Sequence, residues 1–375
     1  MLWQSPFACG IDGYYYALQV KTLLTTGGLW LPDSSPVLWL LAGVAAPGGE
    51  TVAALKTGAA LLAALPVIPA FLSGRLVGQT RFAGFLAALL VGGSVSLSYL
   101  SIELFKNLGA VSLLVFALYF MLRIEREGMR PGLLLPGLFF LAAALLAHRT
   151  TAIPGLVLAG GLVFAKLRLP FRIKLLLTGA GLAAAAGALL LLRALHPADL
   201  ARFSGAFSAV PSLPLLNPQA RFLFPVPLLA ELAGAALVPW GLFLLRRQLQ
   251  GVVLRLLWAL LFVYFLPFWN LAGAGMGFRL ALAGAPFALL LLALALSRAA
   301  AARSRGVRAG LLAVAALPLL FSYSAYRPQG DPPYARYEKM LQGFRLPAGS
   351  VLICHRGLNL FYSWRTGNEG VSYIP

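Results

Sequence analysis

The sequence predicts an all-α polytopic membrane protein with about ten transmembrane helices. Sixty per cent of its 375 residues are hydrophobic and only 11% are charged, a balance that ordinary soluble domains do not have. Mean hydropathy is +0.84, and many windows reach the roughly 20 apolar residues that a bilayer-spanning helix needs. The net charge of +19 would suggest nucleic acid in a soluble protein. Here the distribution of Lys and Arg among the loops explains it, and no nucleic-acid partner is expected.

The first element is a polar, aromatic stretch at the front of the chain, Gly10-Ile11-Asp12-Gly13-Tyr14-Tyr15-Tyr16. Asp12 stands where a helix N-cap stands, with a carboxylate expected to accept from the first backbone N–H groups. A one-sided apolar stripe follows, which predicts an amphipathic helix lying on the membrane surface, and Gly27-Gly28 should end it. A capped surface helix without chemistry is the alternative. The stripe consists of Tyr16, Val20, Leu23 and Leu24.

Ten crossings are expected after a short apolar segment at residues 36–46, which we interpret as a re-entrant or interfacial helix. Lys56 enters the first crossing early, so its ammonium group should extend back to the outer face. Three regions follow from this division: an outer first loop (1–50), a helical bundle (51–325) and a small outer segment (326–375). The crossings are expected at 51–72, 82–101, 105–122, 131–147, 151–165, 175–195, 225–245, 252–270, 277–297 and 308–325.

Residues 326–375 are more polar than the bundle, and their sequence predicts a small outer α/β appendage. Two strands are expected there, at 351–354 and 360–364, on either side of Gly357. Cys9 and Cys354 both fall on the outer side, so one disulfide is an open alternative to two thiols.

The orientation follows from sixteen basic residues that lie in short loops or at span ends on alternate sides of the chain. That side is therefore cytoplasmic. Only Glu125 and Glu127 among the eleven acids share it, so titratable chemistry should be extracytoplasmic. The basic residues are Arg75, Arg81, Arg123, Arg126, Arg130, Lys166, Arg168, Arg172, Lys174, Arg246, Arg247, Arg255, Arg298, Arg303, Arg305 and Arg308.

Ten spans also place Met1 outside, although no basic signal peptide precedes Asp12. We therefore expect the natural chain to contain one more N-terminal span, upstream of the printed start. An apolar run of about 20 residues in the upstream reading frame would match this expectation.

Glu103 occupies the short outer turn between the spans predicted at 82–101 and 105–122. Lys106, three residues on, is within reach of an ion pair with it, and a structural pair is one interpretation. The other is that Glu103 is a second acid brought close to Asp12, with which it could share a divalent cation. No other cofactor is expected, because the sequence has no Walker loop, dinucleotide fingerprint or zinc-type spacing.

Outer-face cations supply candidate phosphate ligands. His148 and Arg149 fill one tight outer turn, and Arg221 precedes another span. Arg279 follows Gly275 and Gly277, whose small size would let backbone amides approach an anion. A guanidinium group binds phosphate with two parallel donors, although interfacial snorkelling explains a single Arg equally well.

The stretch Asp12-Gly13-Tyr14-Tyr15-Tyr16, followed by Gln19 and Leu23-Leu24, resembles the opening of the first outer loop in the GT-C superfamily of polytopic membrane glycosyltransferases. Protein O-mannosyltransferases, lipid A aminoarabinose transferases and oligosaccharyltransferase catalytic subunits belong to that group. Glu103 stands where the family often carries a second acid. Gly13 departs from the pattern, because it replaces the family's paired acid. Acid pairing must then come from Asp33 or Glu103.

The resemblance implies transfer of a sugar from a polyprenyl-phosphate donor to an unidentified acceptor at the outer face of a membrane, such as the bacterial inner membrane. Asp12 would be the general base or acceptor-orienting acid, and Glu103 the second acid or metal position. Arg279 is the first candidate for the donor phosphate, and Arg149, His148, Lys106, Arg221 and Tyr15 are further substrate-binding candidates. A secondary transporter or lipid-sugar flippase and a non-catalytic envelope-assembly protein are the alternatives.

Overall fold

A computed structural model describes residues 5–148 apart from 11, 34 and 49, and residues 274–325 apart from 302. Towards the C-terminus it describes residues 334–343, 347–354 apart from 348, and 357–372. Within these ranges the regular secondary structure consists of helices and two three-residue strands. The spans expected at 151–165, 175–195, 225–245 and 252–270 lie outside the described residues.

Three described segments are long and apolar enough to cross a membrane, which agrees with an integral membrane protein. They are Thr51–Gly78, Phe105–Glu127 and Leu282–Ala299. The helices are α1 (Gly13–Thr26), α2 (Pro36–Ala45), α3 (Thr51–Ala64), α4 (Val67–Gly78), α5 (Arg81–Gly92), α6 (Val95–Glu103), α7 (Phe105–Glu127), α8 (Pro131–Ala147), α9 (Ala274–Ala299), α10 (Arg305–Ala325), α11 (Tyr334–Gln342) and α12 (Leu358–Thr366).

The span expected at 82–101 is two helices, α5 and α6, bent by 41° where they meet. Gly93 ends α5 through its N–H, which donates to the Leu89 carbonyl. The Ser94 hydroxyl then accepts from the Leu97 N–H and begins α6, as an N-cap serine does. A cap in the middle of an apolar run therefore breaks one predicted span into two helices, and α6 ends at Glu103.

The short apolar helix predicted at 36–46 is α2. It begins with Pro36 in its first turn, where the missing proline N–H costs nothing. Leu38 is fully buried, and α2 packs against α3 and α7. One face of α2 therefore packs against the other described helices, while Trp39 and Leu40 are more than half exposed.

Helix α1 is confirmed, and Gly27 ends it in a left-handed conformation with φ 75°. Two details of the prediction are wrong. The Asp12 side chain makes no capping hydrogen bond, and Leu24, assigned to the apolar stripe, is 43% exposed. Gln19 is fully buried, so α1 is covered by protein on more than its apolar stripe.

Lys56 does not reach the outer surface as expected. Its residue is only 3% exposed, and its ammonium group donates to the carbonyl of Ser5. The Lys56 ammonium group therefore links α3 to the segment before α1.

The C-terminal strands are partly as predicted. Strand β1 (Leu352–Cys354) lies where the first was expected, but residues 360–364 belong to helix α12. Strand β2 (Gly370–Ser372) pairs in parallel with β1, with Leu352 opposite Gly370. Parallel neighbours need a crossover, and α12 provides it. The run around Phe361 is short and apolar, a pattern that periodicity alone does not assign. Neither Cys9 nor Cys354 is in a disulfide.

Candidate active site

The two acids singled out from the sequence come from separate segments that meet at Gly10. A Cβ added to Gly10 would lie 2.7 Å from Oε2 of Glu103 and 2.5 Å from the carbonyl oxygen of Ile102. Asp12 is two residues further along the chain, so its Cα lies within about 7 Å of the Gly10 Cα. The end of α6 and the start of α1 thus bring two carboxylate-bearing residues into one neighbourhood.

Gly10 makes this approach possible because it has no side chain and adopts φ +70°, a region that L-residues with a Cβ avoid. The carbonyl of Gly10 accepts from the Gly13 N–H at 3.5 Å. The chain therefore turns back on itself just before α1, and the turn presents Asp12 at the helix start. Asp12 and Glu103 are each half-buried.

Asp33 forms the best-defined polar contact of the site. Its Oδ2 accepts from Lys106 Nζ at 2.7 Å and from the Tyr15 hydroxyl at 2.6 Å. Its Oδ1 accepts from the Ser35 N–H at 2.9 Å. The Lys106 ammonium also lies 5.4 Å from the centre of the Tyr15 ring. Residues from α1, α7 and the loop before α2 therefore converge on one carboxylate.

Gln19 fixes this arrangement from inside. Its amide nitrogen donates to the Tyr15 hydroxyl at 3.0 Å and to the Leu31 carbonyl at 3.0 Å. Its amide oxygen accepts from the Leu31 N–H at 3.2 Å. The amide group of a fully buried side chain is thus used to hold the loop that carries Asp33.

The electrostatics keep Asp33 ionised. Burial alone would raise the pKa of its carboxyl, but the hydrogen bonds from Lys106 and Tyr15 outweigh burial and hold that pKa below its usual value. Burial and the hydrogen bond to Asp33 together raise the pKa of Tyr15, so its hydroxyl stays protonated and donates. The cluster is a stable carboxylate–ammonium pair rather than a proton shuttle.

His148 follows the last residue of α8. A hydrogen bond joins the residue before it to the loop that carries Asp33. The Ser35 hydroxyl donates to the carbonyl of Ala147 at 2.9 Å, which joins the Asp33 loop to the residue before His148. The structure therefore brings His148 to the same end of the bundle as Asp33.

The structure describes one of the three arginine candidates. Arg279 lies in the second turn of α9, and Arg149 and Arg221 lie outside the described residues. Within the described part of the chain, no group of three or more His, Cys, Asp or Glu is placed to hold a metal ion. Asp12 and Glu103 are two candidate oxygen ligands of the kind that Mg²⁺ and Ca²⁺ prefer.

The C-terminal segment covers the chain just before Asp12. The Tyr334 hydroxyl donates to the Gly10 carbonyl at 2.8 Å. The Tyr14 ring packs edge-on against Tyr334 and Phe361 at 4.8 and 4.9 Å between ring centres. The sequence carried no signal for this contact, which joins positions 324 residues apart.

Sequence reasoning also missed that Lys106 binds Asp33. In the sequence analysis Asp33 was considered only as one of two acids that could pair with Asp12. Lys106 and Asp33 are 73 residues apart. Their one signal was that both fall in segments assigned to the outer side.

No protein-family model matches the chain, and no curated protein matches its sequence. Solved structures do resemble it. One is ArnT from Cupriavidus metallidurans bound to undecaprenyl phosphate, with TM-score 0.58 and 16% identity over 88% of this chain and 64% of that one. Another is the oligosaccharyltransferase of Archaeoglobus fulgidus in its apo form, with TM-score 0.51 and 15% identity over 96% of this chain and 61% of that one.

The same oligosaccharyltransferase in complex with Zn and sulfate matches with TM-score 0.50 and 16% identity, over 98% of this chain and 59% of that one. The chain thus spans about three fifths of the length of these enzymes. Its fold resembles that of ArnT and of the archaeal oligosaccharyltransferase, which agrees with the fold that the resemblance predicted.

Proposed function

We propose that this chain, which has the fold of GT-C enzymes, is a membrane glycosyltransferase that moves a sugar from a polyprenyl-phosphate donor to an acceptor at the extracytoplasmic face. The observation that carries the proposal is the close approach of Glu103 to Gly10, two residues before Asp12. Two acids from separate segments at one end of a helical bundle form a site for positioning an acceptor. The undecaprenyl phosphate bound to ArnT supports the choice of donor.

The proposed reaction inverts the configuration at the anomeric carbon. The acceptor hydroxyl, oriented by Asp12, attacks C1 of the sugar from the face opposite the lipid phosphate and gives its proton to the Asp12 carboxylate. A C–O bond forms to the acceptor while the bond from C1 to the phosphate oxygen breaks, and that oxygen keeps the electron pair. Positioned proton removal contributes roughly 10²–10⁴-fold, and stabilisation of charge on the leaving phosphate is usually the larger contribution.

Cations around the site are suited to the leaving phosphate. Arg279, with Arg149 and Arg221, remains the proposed guanidinium source, and His148 lies near the Asp33 loop. Lys106 gives one contact to Asp33, and an ammonium group has three N–H donors. Its side chain is 25% exposed, so it retains capacity for a phosphate oxygen, with the Tyr15 hydroxyl fixed beside it.

A divalent cation fits the donor set in part. Asp12 and Glu103 would be its ligands, and it would neutralise charge on the leaving phosphate. The Zn in the neighbouring oligosaccharyltransferase structure supports testing metal dependence.

The proposal is tested by replacing Asp12 with Asn in the full chain. Transfer of labelled sugar from a polyprenyl-phosphate sugar should fall by at least about 100-fold, with expression and thermal unfolding unchanged. Glu50→Gln is the matched control, because Glu50 is an outer acid before α3 whose side chain makes no capping bond. Full activity in Asp12→Asn would remove Asp12 from the mechanism.

A transporter or lipid-sugar flippase is the second candidate, favoured by the 41° break between α5 and α6, since broken helices mark many transporter sites. Movement of a labelled lipid-linked sugar across proteoliposomes without transfer to any acceptor would identify that activity instead.

A further inference from the structure

We propose that Tyr334 is a positioning residue: its hydroxyl holds the entry loop (residues 5–12) in the shape that presents Asp12. The C-terminal segment would then be part of the transfer site. This inference rests on the proposed function for its catalytic consequence, but its structural part can be tested without any assay of transfer.

Side chains from two distant parts of the described chain donate hydrogen bonds to the entry loop, in addition to the bond from the Gly13 N–H to the Gly10 carbonyl. Near its beginning, the buried Lys56 donates to the Ser5 carbonyl. Near its end, the Tyr334 hydroxyl donates to the Gly10 carbonyl at 2.8 Å, in a buried environment. The first contact comes from the bundle and the second from the C-terminal segment, and Asp12 follows directly after the second.

The Gly10 carbonyl is a sensitive place for such a contact. Gly10 has φ +70° and stands against Glu103 and the Ile102 carbonyl, so the orientation of its peptide sets the path of the chain between the two acids. A glycine peptide rotates easily when nothing holds it. A donor that fixes this carbonyl therefore fixes the direction in which the chain enters α1.

Tyr334 is itself held firmly. It is 4% exposed, and its ring packs against Tyr14 at 4.8 Å, Phe361 at 5.4 Å and Phe7 at 6.1 Å between ring centres. Phe7 belongs to the entry loop, so the same side chain contacts that loop through its ring and through its hydroxyl. Burial of the aromatic rings supplies most of the attraction between Tyr334 and the entry loop. The hydrogen bond from the hydroxyl fixes the orientation of the Gly10 carbonyl.

The test removes only the hydroxyl, with Tyr334→Phe. Tyr337→Phe is the matched control. Tyr337 lies one turn later in α11, and its ring contacts Tyr334 at 5.9 Å and Phe361 at 6.3 Å between ring centres. Cys9 adjoins Gly10 and is half-buried. In a Cys354→Ser background it is the only thiol among the 375 residues, which include two cysteines.

The first readout is the rate at which a maleimide modifies Cys9 in detergent-purified protein. Tyr334→Phe should raise that rate by about 5-fold, the factor that corresponds to one neutral hydrogen bond, while Tyr337→Phe leaves it unchanged. Equal rates in the parent and in Tyr334→Phe overturn the proposal. A comparable rise in both variants also overturns it, because the effect would then belong to ring packing.

The second readout is sugar transfer at varied donor and acceptor concentrations. Tyr334→Phe should lower kcat by a similar factor and leave the donor KM unchanged, because the lipid phosphate is held elsewhere. A faster Cys9 reaction together with no transfer by the parent protein would refute the glycosyltransferase and leave the contact intact. A faster Cys9 reaction with unaltered kcat would show that the loop does not position Asp12.

Discussion

Asp33 shows how one side chain can combine a structural and an electrostatic role. Only 11% of its side chain is exposed, and three groups from three segments donate to it. A buried carboxylate is costly unless it is paired and hydrogen-bonded. Here the pairing keeps Asp33 ionised and fixes α7 relative to α1. These two helices begin just after Glu103 and Asp12.

Replacing Asp33 with Asn should lower the free energy of unfolding by about 1–3 kcal/mol, the range for a hydrogen bond to a charged group. Lys106→Met should cost a similar amount. The double variant should lose less unfolding free energy than the sum of the two single losses, because neither partner is then left unpaired. Thermal unfolding in detergent measures all four proteins, and strictly additive losses would contradict the ion pair.

The same pair predicts a pH dependence. The pKa of Asp33 is lowered in the folded protein, so its contribution is complete above the unfolded value of about 3.9. That contribution should disappear as the pH falls below this value through the lower folded pKa. The parent should therefore lose unfolding free energy more steeply than Asp33→Asn in this acid range, and parallel pH curves would show that Asp33 does not titrate with folding.

Gly10 should not tolerate a side chain. In Gly10→Ala the new Cβ would meet the Ile102 carbonyl at 2.5 Å and Glu103, in addition to about 1–2 kcal/mol for the left-handed conformation. Gly27 has φ +75° but nothing within 4 Å, so Gly27→Ala carries only the conformational cost. Transfer should therefore be lost in Gly10→Ala and kept in Gly27→Ala. Equal activities would mean that the close approach to Glu103 is unimportant.

Among the described helices, α2 approaches two of its neighbours closely at glycine residues. A Cβ at Gly109 of α7 would lie 2.3 Å from Cγ2 of Val37, and one at Gly58 of α3 would lie 2.4 Å from Cδ2 of Leu41. Helices in membranes commonly approach at such small residues, because packing replaces the hydrophobic effect there. The loop with Asp33 leads directly into α2, so this packing also fixes one side of the site.

Gly109→Val should displace α2 and lower thermal stability by an amount typical of overpacking, about 1–3 kcal/mol. Gly132→Val in α8 is the control, since nothing lies within 4 Å of a Cβ added there. The unfolding midpoint in detergent compares the two. A larger loss in Gly132→Val than in Gly109→Val would contradict the packing of α2 on α7.

At the scale of the whole molecule, ring contacts join the N-terminal and C-terminal segments. Phe7 packs against Tyr334 and Phe361, and Cys9 and Cys354 are close in sequence to these residues. The distribution of Lys and Arg predicts that both segments lie on the extracytoplasmic side.

Both cysteines should therefore react with a membrane-impermeant maleimide applied from the outside of intact cells. Cys9→Ser and Cys354→Ser leave one thiol each, and the double variant supplies the background. In sealed inside-out vesicles neither thiol should react until detergent is added. Reaction of the two thiols from opposite sides would break the predicted topology.

The sequence by itself determined the membrane class and most of the described helices, and it singled out Asp12 and Glu103 as candidate site residues. These properties follow from local information: apolar length, capping residues and glycine stops act over one or two turns. The misjudged features, the break at Gly93 and the helix at 358–366, also depend on local signals, but ones that competed with an apolar run.

Only the tertiary structure decided which polar groups meet. Lys106 binds Asp33 across 73 residues and Tyr334 binds Gly10 across 324, and no periodicity in the chain encodes such a separation. Their partners are chosen by the packing of whole helices, because a buried carboxylate or carbonyl must be satisfied by whichever donor the bundle brings to it. The same packing brought Glu103 against Gly10, a glycine with no chemistry of its own that lies two residues before Asp12.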